Sequence, residues 1–423
     1  MNHLHSIICL LVIAGLLPTV HASDDIDEAP IYYSTAEVND GVTQLQAKLD
    51  AGKVKLSWDK RWGWLPAVLK QLEISQESQL LVFSKTSLQV HQISPHTPRA
   101  LYYNDDAYIG YVPQGDILEV SVVDPVQGAM FYSLEQREVE RPKFVRDKGT
   151  CLACHHNDRT RDVPGYLVRS VFPDRRGHAL LSLGSETTDH RTPFDERFGG
   201  WYVTGTHGEM RHRGNAILKD EQDKINTEEN ANLLTIEKRI RNGAYLTPHS
   251  DIVSLMLLEH QSQMHNAITN ASYEAREAAH YDTVWNEILK KPSGYQHEVS
   301  QRRLNRAAEE LLACLLYSGE FQLKSPVKGT SNFVTEFTKL GPRDSKGRSL
   351  RDFDLQTRLF KYPCSYLIYS ESFAALPSSI RAIIDTRLEA ILTGEDTSEA
   401  FSHLSEKDRD VIREILSETL ARG

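Results

Sequence analysis

The spacing of apolar and polar positions changes character along the chain. Residues 65–72 read as a short helix. Residues 80–83 then open a strand directed toward Ile93, and the Tyr-rich stretch 100–112 is broken at its middle by Asn104-Asp105-Asp106. Residues 117–123 alternate, Asp124-Pro125-Val126-Gln127-Gly128 reads as a turn, and 129–134 return. Short alternating runs with turn residues between them predict an antiparallel meander. From about residue 228 the spacing becomes helical. Helices are expected at 232–241, stopped by Asn242-Gly243, and from the Thr247-Pro248 start toward 289 with an interruption near Asn270. Further helices are expected at 300–317, 380–392 and 406–420. The first turns after Thr247 are apolar nearly all round, which predicts a buried helix. The stretch 141–215 follows neither period and is rich in Gly, Pro, Arg and His. The pattern as a whole predicts an α+β protein with a β-rich N-terminal part and a mostly helical C-terminal part.

The loop-rich middle contains Cys151-Leu152-Ala153-Cys154-His155. This is C-x-x-C-H, the attachment signal of c-type haem. Two thiols one helical turn apart can add to the two vinyl groups of one haem, and the following His is placed to bind the iron. The motif therefore assigns Cys151 and Cys154 as anchors of one covalent haem c and His155 as its iron ligand. A thioredoxin-like C-x-x-C would sit beside a βαβ pattern, which is missing here, and a structural zinc site would need a second ligand pair. Arg159, Arg161 and Arg169 are candidates for pairing with the propionates.

Residues 7–20 form an apolar run followed by Val20-His21-Ala22, which reads as a signal peptide over 1–22 and predicts export to the periplasm or beyond. No Lys or Arg precedes the run. The mature chain divides into a β-rich region, 23–140, and a haem-c region with the helical part, 141–423. A net charge of −10 argues against nucleic acid as a partner. No later stretch is long and apolar enough to span a bilayer. Of five cysteines, Cys314 and Cys364 remain once the motif and the signal are set aside. In an oxidising compartment they suggest one disulfide, against the alternative of two buried thiols.

Several stretches carry a resemblance. They include Leu81-Val82-Phe83-Ser84-Lys85-Thr86-Ser87, Pro98-Arg99-Ala100-Leu101-Tyr102-Tyr103-Asn104-Asp105 and the C-x-x-C-H motif. Val163-Pro164-Gly165, the glycine-rich 199–208 segment, Leu258-Glu259-His260-Gln261 with Met264-His265-Asn266, and Cys364-Ser365-Tyr366-Leu367 belong with them. On these the chain resembles a family of uncharacterised, exported single-haem cytochrome c domain proteins common in planctomycete-like bacteria. The resemblance implies an exported haem protein and no particular reaction. Arg213 stands where it leads one to expect a Met; were that Met an iron ligand in relatives, this chain would lack it.

The second axial ligand decides what the iron does: a strong one favours electron transfer, and an open position allows a small molecule to bind. His207, His212, His260, Met264 and His265 are the candidates, with the long helix expected to cover the haem face opposite His155. Electron transfer with a redox partner is the first expectation. A haem-dependent oxidoreductase acting on a small molecule at an open distal site is the second.

Overall fold

A computed structural model describes residues 26–420; the expected signal segment lies outside the described residues. Two helices precede the sheet, α1 (Gly41–Asp50) and α2 (Leu65–Gln71). The first starts at Asp40, whose side chain accepts from the Thr43 amide while the Thr43 hydroxyl accepts from the Asp40 amide. This reciprocal cap stabilises the first turn.

The meander follows as β1 (Leu80–Val82), β2 (Arg99–Tyr103), β3 (Ala107–Tyr111), β4 (Ile117–Asp124), β5 (Gly128–Glu135) and β6 (Phe144–Arg146). The turn residues at 104–106 and 124–128 make the two expected hairpins, where Asn104 and Asp124 side chains accept from following backbone amides. A two-stranded ribbon of β7 (Arg169–Val171) and β8 (Ser185–Thr187) precedes β9 (Trp201–Tyr202). β9 completes a seven-stranded antiparallel sheet by pairing with β1, giving the order β6-β5-β4-β3-β2-β1-β9. The sheet therefore takes its last strand from beyond residue 140. The strand expected to run toward Ile93 ends at Val82, because the Phe83 and Ser84 amides both turn to the Gly200 carbonyl.

The helical part is built on α4 (Ile252–Ile288), an unbroken helix of 37 residues. Its cap is Asp251, which accepts from the Val253 and Ser254 amides, and not Thr247. Burial of nearly every side chain from Ile252 to Thr269 bears out the apolar reading of its first turns. The helix passes Asn270 without interruption. α5 (Glu298–Leu315) packs along it, and α8 (Ser378–Thr393) and α9 (Glu406–Thr419) stack beyond, close to their expected limits. The short α6 (Phe333–Phe337) and α7 (Glu371–Ala374) pack onto α4. The helix expected at 232–241 does not form. Its backbone serves other segments instead: the Leu233 carbonyl accepts from Gly205, and the Arg241 amide donates to His96. The architecture is α+β, as the pattern predicts. No helix among the described residues is long and apolar enough to cross a membrane.

The expected Cys314–Cys364 disulfide is not formed; both are buried free thiols. Cys314 faces two imidazoles and Cys364 is packed among core side chains, so the even count did not reflect proximity.

Candidate functional site

One face of the sheet forms the floor of a cavity of about 990 Å3. The strand register explains why. Leu101 pairs with Gly110, Gly110 with Glu119, Glu119 with Ser133, and Ser133 with Val145. Paired residues share a face, so this row crosses five strands on one side of the sheet. A second row, Tyr108-Ser121-Phe131, lies beside it. All these residues line the cavity. Gly110, Ser121 and Ser133 keep the floor low. Arg99 reaches over Gly110 to Glu119 at 2.8 Å, and a Cβ on Gly110 would lie 2.7 Å from the guanidinium. A volume near the top of the ~300–1,000 Å3 range of ligand pockets suits a large, flat cofactor.

The C-x-x-C-H motif forms another wall, with Cys151, Cys154 and His155 all lining the cavity. The short helix α3 (Leu152–His155) holds them in a single turn, with the Cys154 and His155 amides both donating to the Cys151 carbonyl. Thiols three residues apart on a helical turn share a face. The turn is anchored by Asp147, whose carboxylate accepts from the Gly149 and Cys151 amides. Burial and that carboxylate push the Cys151 thiol up to about 12.

His155 is oriented by Gly165. Its Nδ1 lies 2.8 Å from the Gly165 carbonyl, and the Gly165 amide donates back to the His155 carbonyl. With Nδ1–H donating, Nε2 carries the lone pair, the arrangement that metal-bound histidines use. Burial lowers the imidazole pKa and so favours the neutral ring. Phe131 packs on the ring at 4.8 Å between centroids. The 165–166 segment is itself pinned by α4: Asn266 accepts from the Tyr166 amide at 2.8 Å and donates to its carbonyl at 2.7 Å. A side chain at Gly165 would collide with Asn266 Oδ1.

Of the candidate arginines, Arg159 and Arg169 line the cavity and Arg161 does not, pairing instead with Glu310. Burial, and after it the neighbouring Arg159, lower the Arg169 pKa, a cost to the charged form that a bound anion would relieve. Lys85 and Lys148 add two more cations to the wall.

The expected second ligands lie elsewhere. α4 does wall the cavity, but with Leu258 and Ser262. His260 lies 2.9 Å from the Ser365 hydroxyl through Nε2 and meets His190 through Nδ1. Met264 is fully buried in the core. His265 donates from Nε2 to the Asp105 carbonyl and sits behind the Tyr108 and Tyr166 rings. His207 has both nitrogens engaged, Nδ1 with the Met210 carbonyl and Nε2 with the Asn232 amide. His212 accepts from the Gly214 amide and packs among Phe194, Phe198 and His207. None of the five lines the cavity. Arg213 lies over the Phe172 ring, also away from it.

The second imidazole on the wall is His178, which the sequence reading missed. It sits on a tight turn held by Asp174, which accepts from the Arg176 and His178 amides and faces His178 Nδ1 at 3.4 Å. Gly177 makes the turn possible: its φ is +85°, and a Cβ there would lie 2.4 Å from the Phe83 carbonyl oxygen. The Gly177 carbonyl in turn accepts from Lys85. The available signal was the Pro173-Asp174 turn followed by Gly-His.

The buried imidazoles make stability depend on pH. Burial lowers the pKa of His265 to about 4. A folded pKa below the unfolded value of about 6.5 means the native state holds fewer protons. The stability gained is complete above about pH 6.5 and is lost as pH falls toward 4. His265→Gln removes this term, so the stability gap between parent and variant, measured by urea unfolding, should narrow by about 2 kcal/mol from pH 7 to pH 5. A constant gap would show that His265 is not held neutral.

No protein-family model, no curated protein and no solved structure matches the chain.

Proposed function

We propose that the protein is an exported c-type cytochrome carrying one covalent haem in the sheet-floored cavity, and that it transfers electrons between redox partners. The observation that carries this reading is the convergence of Cys151, Cys154 and a His155 with its Nε2 left free on one wall of a cavity of about 990 Å3. The thiols would anchor the cofactor and His155 would bind its iron. Arg159, Arg169, Lys85 and Lys148 offer charge to its carboxylates. A haem bound there supplies a one-electron Fe(III)/Fe(II) couple. The residues around it fix the imidazole through Gly165 and Asn266, and Leu101, Phe131 and Leu258 would pack against the cofactor and limit water there, which would raise the reduction potential relative to an exposed haem.

His178 is the wall residue that would supply a second nitrogen to the iron. Like His155, its Nδ1 faces an acceptor, leaving Nε2 available. The purified parent should then show low-spin absorption bands in both oxidation states, unmoved by carbon monoxide. His178→Ala should convert it to a high-spin form that binds carbon monoxide. Low-spin bands unchanged in the variant would remove His178 from the role and leave the carrier reading intact.

A second reading, an oxidoreductase with an open iron position, is favoured by one observation: all five histidine and methionine candidates on α4 and in 207–212 are off the cavity wall. High-spin bands shifting with carbon monoxide in the parent would select it.

A further inference from the structure

We propose that His190, His260 and Cys314 form a second metal centre that binds a thiophilic first-row ion, zinc or copper, independently of the C-x-x-C-H cavity. One ligand atom from each residue, two imidazole nitrogens and a thiol sulfur, falls within 4.8 Å of the others. They come from three remote places: the loop after β8, the third turn of α4 and the last turn of α5. All three side chains are buried, and none lines the haem-sized cavity.

The geometry suits coordination. The two Nδ1 atoms lie 3.3 Å apart. Two nitrogens bound to one tetrahedral ion at about 2.0–2.1 Å each are separated by roughly the same distance. With both Nδ1 lone pairs turned inward, each ring carries its proton on Nε2, and His260 Nε2 lies 2.9 Å from the Ser365 hydroxyl, ready to donate to it. Such an outer hydrogen bond is the usual support of a metal-bound imidazole. The rings are held in place before any ion arrives. Tyr317 stacks on His260 at 4.0 Å between centroids and lies tilted against His190 at 5.2 Å. Arg197 donates to the His190 carbonyl at 2.9 Å and to Glu259, the residue before His260, at 3.1 Å.

The donor set selects the ion. Two imidazoles and a thiol exclude magnesium and calcium, which take oxygen, and match zinc or copper. Three protein ligands would leave a fourth position for a small ligand in a zinc site, or give the trigonal His2Cys set that copper accepts. Binding forms a metal–sulfur bond as the Cys314 S–H bond breaks, and the proton leaves to solvent; the neutral imidazoles lose none. The remaining positive charge lies near Asp189, whose carboxylate already acts on His190.

The test uses the full mature chain with its haem. The protein is dialysed against zinc sulfate or copper sulfate, desalted, and assayed for metal by mass spectrometry and for its ligand shell by X-ray absorption at the zinc or copper edge. The expected result is one ion per chain with one sulfur and two imidazole nitrogens in its shell. Cys314→Ser should cut the content about tenfold with the haem spectrum unchanged, while Cys364→Ser, a buried cysteine outside the cluster, should keep it. Should Cys314→Ser fail to fold, the parent's ligand shell decides. Absence of both metals from the dialysed parent, a shell without sulfur, or full content in Cys314→Ser would overturn the proposal.

Discussion

Replacing Cys151 and Cys154 together with Ala is expected to abolish covalent haem and with it the proposed electron transfer. The two thiols share one helical turn and face one cavity, so no other cysteine can substitute. Cys314 and Cys364 are buried in the helical part. Denaturing electrophoresis with a haem stain should show a band in the parent that survives acid acetone and none in the double variant. Each single variant should retain one thioether at most and a weakened band. His155→Ala tests the third member separately: attachment through sulfur can persist, but the iron loses its ligand and the absorption bands must change. A double variant that stains like the parent would show that the motif is not the attachment point.

The second large effect concerns stability. Arg197 and Glu259 form an ion pair whose side chains are 3% and 0% exposed. Arg197 also donates to the Thr192 and His190 carbonyls, so one guanidinium ties the 190–192 loop to α4. Arg197→Met leaves Glu259 buried with no cation and strands the Thr192 carbonyl, while the His190 carbonyl keeps the Phe321 amide. Breaking a buried pair by removing one partner costs about 3–5 kcal/mol; here Glu259 must either keep an unpaired buried charge or take up a proton. Urea unfolding at pH 7 should register a loss in that range. Glu259→Gln is expected to cost less, since burial already holds the Glu259 pKa up to about 7 and the amide oxygen can still accept from Arg197. Equal losses for the two variants would contradict this account of the pair.

The parts of the fold that were legible in the sequence are those set by local chemistry. Asn104 and Asp124 make the hairpins by accepting from backbone amides just beyond them, which any reading of turn residues can anticipate. α4 was legible because its apolar residues cover its whole circumference. The failures share a cause in tertiary competition. Residues 232–241 have helical spacing, but their backbone is taken by Gly205 and His96. Asn270 looks like a breaker, yet its side chain reaches the Arg161 carbonyl at 3.4 Å and the helix continues beneath it. Helix α1 was hidden in a segment of mixed composition, although Asp40 and Thr43 spell a capping box. The C-x-x-C-H motif was legible because its chemistry is local to five residues. The cavity-wall histidine proposed as second ligand was not, because its place depends on which loop the sheet brings across the cavity. His260, Met264 and His265 were attractive for their helix, and that helix turns Leu258 and Ser262 toward the cavity instead.

The measurement that tests the central claim most directly is the intact mass of the purified chain, made in a host that matures c-type cytochromes. The account predicts a mass above that of the polypeptide by one iron protoporphyrin, with the addition located by fragmentation on the peptide that contains Cys151, Cys154 and His155. A chain at the bare polypeptide mass, with both thiols free to alkylation, would contradict it.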